Sequence, residues 1–317
     1  NPESIVWVPF ERMRQELGLP HVDHREDGLV FSNATHVLRF YAGRRSAVLD
    51  GVCVWLHQPP RDAATNDLRD LAQPDYDGLL HPVLLATAAP PPRLRIVLDP
   101  GHGGDDTGAR TAGTPETLEK TITLDITRLV AEQLSAAGQH VRMTRTGDVT
   151  APLSDRSRLA AEQQAQLFVS IHANSAPANH QAIGAETYIL AAAGYPGTGE
   201  GSSGMTNPCA GNRFDTANGL LGFAIQRRCA AQSAMDRGLK RARYYVLREA
   251  PCPAALVECG FLTNTNEAAR LADSAYRRQM ADAIAAGILD YGRLATPLPE
   301  APSPAPASLV AHRTAAR

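Results

Sequence analysis

Four side chains in the middle of the chain have the types needed for metal-assisted hydrolysis: His102 in DPGHGGDD, Glu119 in LEKTITLD, His172 in SIHANS and Glu258 in LVECGFLTN. Two imidazoles and one carboxylate are the ligand set of a hydrolytic zinc site, in which three protein groups leave the fourth tetrahedral position open to water. Zinc suits such a set because it accepts nitrogen and oxygen ligands, has no redox chemistry and lowers the pKa of bound water to about 7. His102, Glu119 and His172 are therefore the candidate metal ligands. Glu258 is then the free carboxylate that takes a proton from the water and passes it to a leaving amine. Any one of these residues alone reads as a satisfied polar group, but His102, His172 and Glu258 at equivalent strand ends of one domain favour a site.

The elements that must position them are legible. An apolar run over residues 94–98 ends in Asp99-Pro100-Gly101 and leads through a glycine-rich loop into a long amphipathic helix. That helix carries Leu118, Ile122, Ile126, Leu129, Val130 and Leu134 at spacings of three and four, and Gly138 suits its C-terminal stop. Glu119 lies beside this apolar stripe in the first turn, whereas Lys120 points elsewhere. A carboxylate facing a core costs several kcal/mol unless it is paired or binds a cation. The alternative, a first-turn glutamate facing the helix N-terminus, contributes only ~0.3 to 1 kcal/mol.

Further strands are expected over residues 140–144, 167–171, 185–190, 244–247 and 255–257, and helices over 154–164, 215–235 and 274–289, with Ser154 and Ser274 as N-caps. Alternating strands and helices predict an α/β domain with a mainly parallel twisted sheet flanked by helices, its functional groups beyond the carboxyl ends of the strands.

With 317 residues, 44% hydrophobic and 20% charged, the composition is globular and long enough for about two domains. A formal charge of -2 gives no reason to expect a nucleic-acid partner. No stretch reaches the roughly 18 apolar residues of a membrane span. Proline-rich stretches divide the chain into a small N-terminal α+β domain (1–85), a linker (86–93), a catalytic domain (94–294) and a tail (295–317) expected to be disordered. The chain begins at Asn1, which suggests processing or trimming. The five cysteines do not form a disulfide framework, although a pair among Cys209, Cys229 and Cys252 would suit an oxidising compartment. His21 and His24 offer either a metal pair or solvent-exposed loop histidines.

The motifs DPGHGG, LEKTITLD, SIHANS and LVECGFLTN, in this order, resemble the zinc-dependent N-acetylmuramoyl-L-alanine amidases of the amidase_3 class over about residues 94–292. The resemblance implies one Zn2+ on His102, Glu119 and His172, catalysis by Glu258, and cleavage of the amide between N-acetylmuramic acid and L-alanine in peptidoglycan or its fragments. It also implies an exported protein of the periplasm or extracellular envelope, expected to act as a monomer. Residues 4–85 resemble the copper amine oxidase N-terminal-like domain, which implies a cell-wall or activator contact and not copper. A zinc peptidase or deacetylase acting on another amide, or a non-catalytic peptidoglycan-binding protein on the same fold, are the competing readings.

Arg145, Leu153 and Arg156 match family positions, and an arginine there is expected to pair with a carboxylate such as Asp155. Asn174 suits either a ligand-orienting or substrate-binding role or the closing of a turn. Ala160-Ala161 and Gln166 depart from the family pattern, which predicts altered packing with activity retained. Residues 191–222 are rich in glycine, which opposes helix by ~1 kcal/mol per residue. A mobile substrate-facing loop is expected there rather than an inhibitory helix.

Overall fold

In the N-terminal part, apolar residues recur at every second position, and the computed structural model turns that alternation into a sheet with one buried face. The structure describes residues 5–62, 68–87, 93–111, 117–200 and 204–294, so the centre of the proline-rich linker and the tail lie outside the described residues. The strand β1 (Trp7–Pro9) leads into α1 (Phe10–Glu16). An antiparallel meander follows: β2 (His21–Arg25), β3 (Gly28–Ser32), β4 (Val37–Tyr41), β5 (Ser46–Leu49) and β6 (Val52–Trp55). A short pair, β7 (Arg61–Asp62) and β8 (Leu68–Ala72), precedes α2 (Gln73–Asp75), a π-helical turn at Tyr76–Leu80 and α3 (His81–Leu84).

The rest of the chain alternates strand and helix. In order it runs β9 (Arg95–Pro100), α4 (Glu119–Ala136), β10 (His140–Met143), α5 (Leu153–Glu162), β11 (Leu167–Asn174), β12 (Ala185–Leu190), and a 3-10 turn (Ala210–Phe214) that continues into α6 (Asp215–Ala230). It closes with β13 (Asp236–Ala242), α7 (Tyr245–Arg248), β14 (Ala254–Phe261), α8 (Thr265–Ala272) and α9 (Ser274–Arg293). This is a mixed α/β fold with a central sheet between helices.

Both halves share one 11-stranded sheet of order β10-β9-β11-β14-β12-β13-β6-β5-β4-β3-β2, joined where Leu239 pairs with Val54. Strands β10, β9, β11 and β14 are parallel, β12 runs against β14, β13 and β6 follow β12 in parallel, and the meander is antiparallel. Strands β1, β8 and β7 form a separate small sheet.

Ile122, Ile126, Val130 and Leu134 of α4 are buried with Ile96, Leu98, Val169 and Ile171, and α6 and α9 complete that layer. The alternate residues Val97, Phe168 and Leu256 pack on the opposite face with Ala160 of α5 and Val246 and Leu247 of α7.

Several local expectations need correction. Residues 244–247 fall on the N-cap Tyr244 and the helix α7 (Tyr245–Arg248) instead of a strand, and the strand at that point of the sheet is β13, whose Lys240 and Arg237 hid its period. Helix α6 stops at Ala230, short of Met235. The cap of α9 is Asp273, which accepts from Ala275 N–H, rather than Ser274, and Pro152 rather than Ser154 precedes α5.

All five cysteines are free thiols. Cys229 and Cys252 lie in the cores on opposite faces of the sheet, which rules out a bridge between them. His21 and His24 sit three residues apart on the exposed strand β2, so they face opposite sides and do not make a metal pair.

Candidate metal centre

Two buried arginines and one buried aspartate build the loop that carries His102. Asp99, at the end of β9, accepts from Arg156 (2.6 Å), Ser170 (2.7 Å) and Thr144 (2.6 Å). Arg156 also donates to the carbonyls of Pro100 and His102, and Arg145 to those of Pro100, Gly101 and Lys120. Both arginines brace the backbone of this loop. Arg156 pairs with Asp99 and not with the neighbouring Asp155, which instead meets Arg158.

These bonds hold His102 at φ 61°, a left-handed conformation that costs a non-glycine residue ~1 to 3 kcal/mol. The strain sits at the residue whose imidazole must point inward, where over-determined backbone is expected at functional sites.

Glu119 is the first residue of α4 and is 5% exposed. Its Oε1 lies 3.0 Å from His102 Nε2 and 3.0 Å from His172 Nδ1. Backbone N–H groups of Ala109 (2.8 Å) and Ala173 (3.1 Å) also donate to the carboxylate. Burial works against its charge, but the hydrogen bonds to His102 and His172 outweigh burial and hold its pKa well below the ordinary carboxylate range.

His102 and His172 meet edge to face with ring centroids 4.9 Å apart, and Asp106 Oδ2 holds His102 Nδ1 at 2.9 Å so that Nε2 faces the centre. Burial would lower the pKa of His102, but hydrogen bonds to Glu119 and Asp106 raise it above the ordinary value.

The three donor atoms lie within 4.8 Å of one another, a spacing that admits one metal ion. The backbone is shaped to the same cluster. A Cβ on Gly101 would stand 2.4 Å from the His172 ring, and one on Gly108, at φ 63°, 2.6 Å from Glu119 Oε2. Neither position tolerates a side chain, so the donor set and its cradle fit a small cation held by two imidazoles and a carboxylate.

Glu258 lies inside β14, beside His172 in the parallel ladder, so the strand continues through it and does not end there. Its Oε2 is buried without a hydrogen-bond partner. Burial, reinforced by the charges of Glu119 and Glu186, pushes its pKa well above the ordinary range. All four expected residues line one cavity of about 550 Å³, together with Asn174, Tyr244 and Leu256.

The ladder β11–β14 shifts register between His172 and Asn174. There Asn174 Nδ2 donates to Glu186 (2.7 Å) while its Oδ1 accepts from Ser175 N–H (2.7 Å), so the cavity residue Asn174 is oriented by a second carboxylate.

Sequence reasoning missed Asp106 and Glu186. Asp106 stands four residues after His102, a usable signal, whereas Glu186 in the AETYIL strand reads as an ordinary strand residue. Glu186 is 2% exposed and also accepts from Tyr188, Arg237 and Lys240. Of the family departures, Ala160 is fully buried against Val97 and Phe168, and Gln166 caps the backbone of Arg95.

The glycine-rich segment does not face the cavity. Among the described residues, none of 191–200 or 204–214 lines it. Thr198 instead bonds Arg45 and Arg241, and Ala192 bonds His57, so the segment packs against the N-terminal strands. Among the described residues, no helix from it occupies the His102–Glu119–His172 cluster.

The model of the N-acetylmuramoyl-L-alanine amidase family (amidase_3) matches residues 96–290. The chain is similar to the N-acetylmuramoyl-L-alanine amidase LytC of Bacillus subtilis (strain 168), 36% identical over 200 residues that cover 62% of this chain and 35% of LytC. It is also similar to AmiA of Escherichia coli (strain K12), 33% identical over 226 residues that cover 62% of this chain and 75% of AmiA. Among solved structures, the amidase AmiC2 of Nostoc punctiforme superposes with a TM-score of 0.52 at 34% identity, covering 64% of this chain and 98% of AmiC2. The matched part thus spans about a third of LytC.

Proposed function

This chain belongs to the N-acetylmuramoyl-L-alanine amidase family, and we propose that it hydrolyses the amide between the lactyl group of N-acetylmuramic acid and L-alanine in peptidoglycan, using one zinc ion. The observation that carries this reading is the convergence of His102, Glu119 and His172 within 4.8 Å in the cavity that Glu258 also lines. These three residues would hold the ion, which supplies Lewis-acid polarisation of the carbonyl and a nucleophile at neutral pH.

The chain's own groups do the rest. Asp106 fixes the His102 ring, and the N–H groups of Ala109 and Ala173 keep the Glu119 carboxylate facing inward. Glu258 has an uncommitted oxygen in a water-poor setting, so it accepts the proton of the attacking water and returns it to the departing nitrogen. The C–N bond breaks, leaving a lactyl carboxylate and a free L-alanine amine. No helix of the described residues is long and apolar enough to cross a membrane. The protein acts as an exported enzyme of the cell envelope, in the periplasm or outside the cell, with residues 1–85 as an accessory unit.

The test is digestion of purified peptidoglycan by the zinc-loaded protein and its Glu258→Ala variant, followed by mass analysis. Stem peptides with new L-alanine N-termini from the wild type alone are expected. Release of a different bond's products, or no release with zinc shown to be bound, would reject the reading.

A further inference from the structure

The sheet face that holds Glu258 does not end at the catalytic cavity. Leu256, which lines the cavity, pairs with Tyr188 of β12, and Tyr188 pairs with Lys240 of β13. One residue beyond the Leu239–Val54 pair, Lys240 comes level with Trp55 of β6, and Trp55 pairs with Ser46 of β5. One residue beyond the Phe40–Ala47 pair, Ser46 comes level with Tyr41 of β4. A single cross-strand row therefore runs from the cavity to Tyr41 over five strand spacings, ~24 Å.

The opposite face of these strands is core, with Leu38, Phe40, Ala47, Leu49, Val54 and Leu239 fully buried. Tyr41, Ser46, Trp55, Lys240 and Tyr188 are only partly buried, with Tyr188 packed beside Val246 and Leu247 of α7 at the cavity end. The aromatic rings are held in place. Trp55 Nε1 donates to Arg237 O (3.0 Å), Lys240 Nζ lies 5.8 Å from both the Trp55 and the Tyr188 ring centres, and Tyr188 meets the cavity residue Tyr244 edge to face at 5.3 Å. Tyr41 lies between the guanidinium groups of Arg39 and Arg44. Along this strip Arg237 and Lys240 pair with Glu186 and Arg39 pairs with Asp27, while Arg44 flanks the Tyr41 ring.

We propose that this row is a binding track for polymeric peptidoglycan, on which the glycan strand lies across Trp55 and Tyr41 while an acidic stem peptide faces Arg44. The inference rests on the amidase reading of the cavity. Aromatic faces spaced across the sheet suit the apolar faces of pyranose rings, and the Arg44 guanidinium at the outer end complements a carboxylate of the peptides. Continuity with the cavity sets the occupant: a polymer cut at Glu258 must continue somewhere, and this is the open face beside it. A soluble muramoyl-peptide is too short to reach Tyr41.

The test compares wild type with Trp55→Ala and with the peripheral variant Tyr41→Ala/Arg44→Glu on two substrates, insoluble peptidoglycan and a soluble muramoyl-peptide, alongside co-sedimentation with peptidoglycan. Expected is a rise of about tenfold in the half-saturating amount of polymer, as for the loss of one aromatic anchor, with kcat and the soluble-substrate rate unchanged. Co-sedimentation should weaken in parallel. Unchanged polymer kinetics and sedimentation in both variants, or an equal loss on both substrates, would overturn the track. If the wild type cleaves neither substrate yet sediments through Tyr41 and Arg44, the track stands and the amidase reading falls.

Discussion

Replacing Asp75 by alanine tests how the N-terminal meander is locked to the rest of the sheet. Asp75 is fully buried and accepts from His57 N–H (2.9 and 3.1 Å), His57 Nδ1 (2.8 Å) and Arg241 Nη2 (3.0 Å). Arg241, on β13, is also buried, and its other strong contact is the carbonyl of Trp55 on β6. Removing the carboxylate leaves a guanidinium in the core without its counterion, which costs ~3 to 5 kcal/mol. Two orphaned His57 donors add ~1 to 3 kcal/mol each, partly overlapping with that figure. A total near 5 kcal/mol is expected, read as a fall in the urea midpoint at unchanged slope. Removing both charges together, Asp75→Leu with Arg241→Met, should cost less than the sum of the two single variants, since no uncompensated charge remains and only the two His57 donors stay orphaned. A single variant that loses under ~1 kcal/mol, or a double variant as damaged as the sum of the singles, would refute the argument.

The same cluster sets a pH dependence. His57 Nε2 accepts from Ala192 N–H (3.1 Å), so the ring is neutral, and burial together with Arg241 pushes its pKa down. The unfolded chain then binds a proton below ~6.5 that the folded chain refuses, so stability falls with acid by up to ~1.4 kcal/mol per pH unit. The His57 contribution should be flat above that pH, and the acid slope should shrink in His57→Gln; an equal slope in both proteins would exclude His57 as its source. Asp106→Ala should weaken metal affinity ~10- to 100-fold without unfolding the chain, because it frees the His102 ring. A competition titration with a chromophoric chelator would read this, and unchanged affinity would show the contact to be idle.

The candidate site was legible because metal chemistry restricts residue types. Two histidines and two glutamates stand in short motifs, His102 between Gly101 and Gly103, and Glu119 lies beside its helix's apolar stripe in the first turn, a pattern visible without any coordinates. The strand β13 was not legible, because its outward residues Arg237 and Lys240 serve Glu186 and its inward Arg241 serves Asp75, leaving Leu239 as its one large apolar side chain. The caps were misassigned for a related reason. Serine and aspartate compete at adjacent positions, and the local chain path, here favouring Asp273, decides between them. Glu186 escaped notice because its partners come from β11, β12 and β13, whose adjacency only the sheet order reveals.

Sheet order also accounts for the position of Glu258. Strands β9, β11 and β14 run one way and β12 and β13 the other, so the change of direction falls between β14 and β12. Glu258 and Glu186 are direct partners across the same line and therefore share a face. Glu186 is neutralised by Lys240 and Arg237, while Glu258 has no cation bound to it. One carboxylate is thereby fixed as an anion that organises Asn174 and Tyr188, and the other stays free to exchange protons. Two like residues side by side take different roles because only one of them has partners on β13.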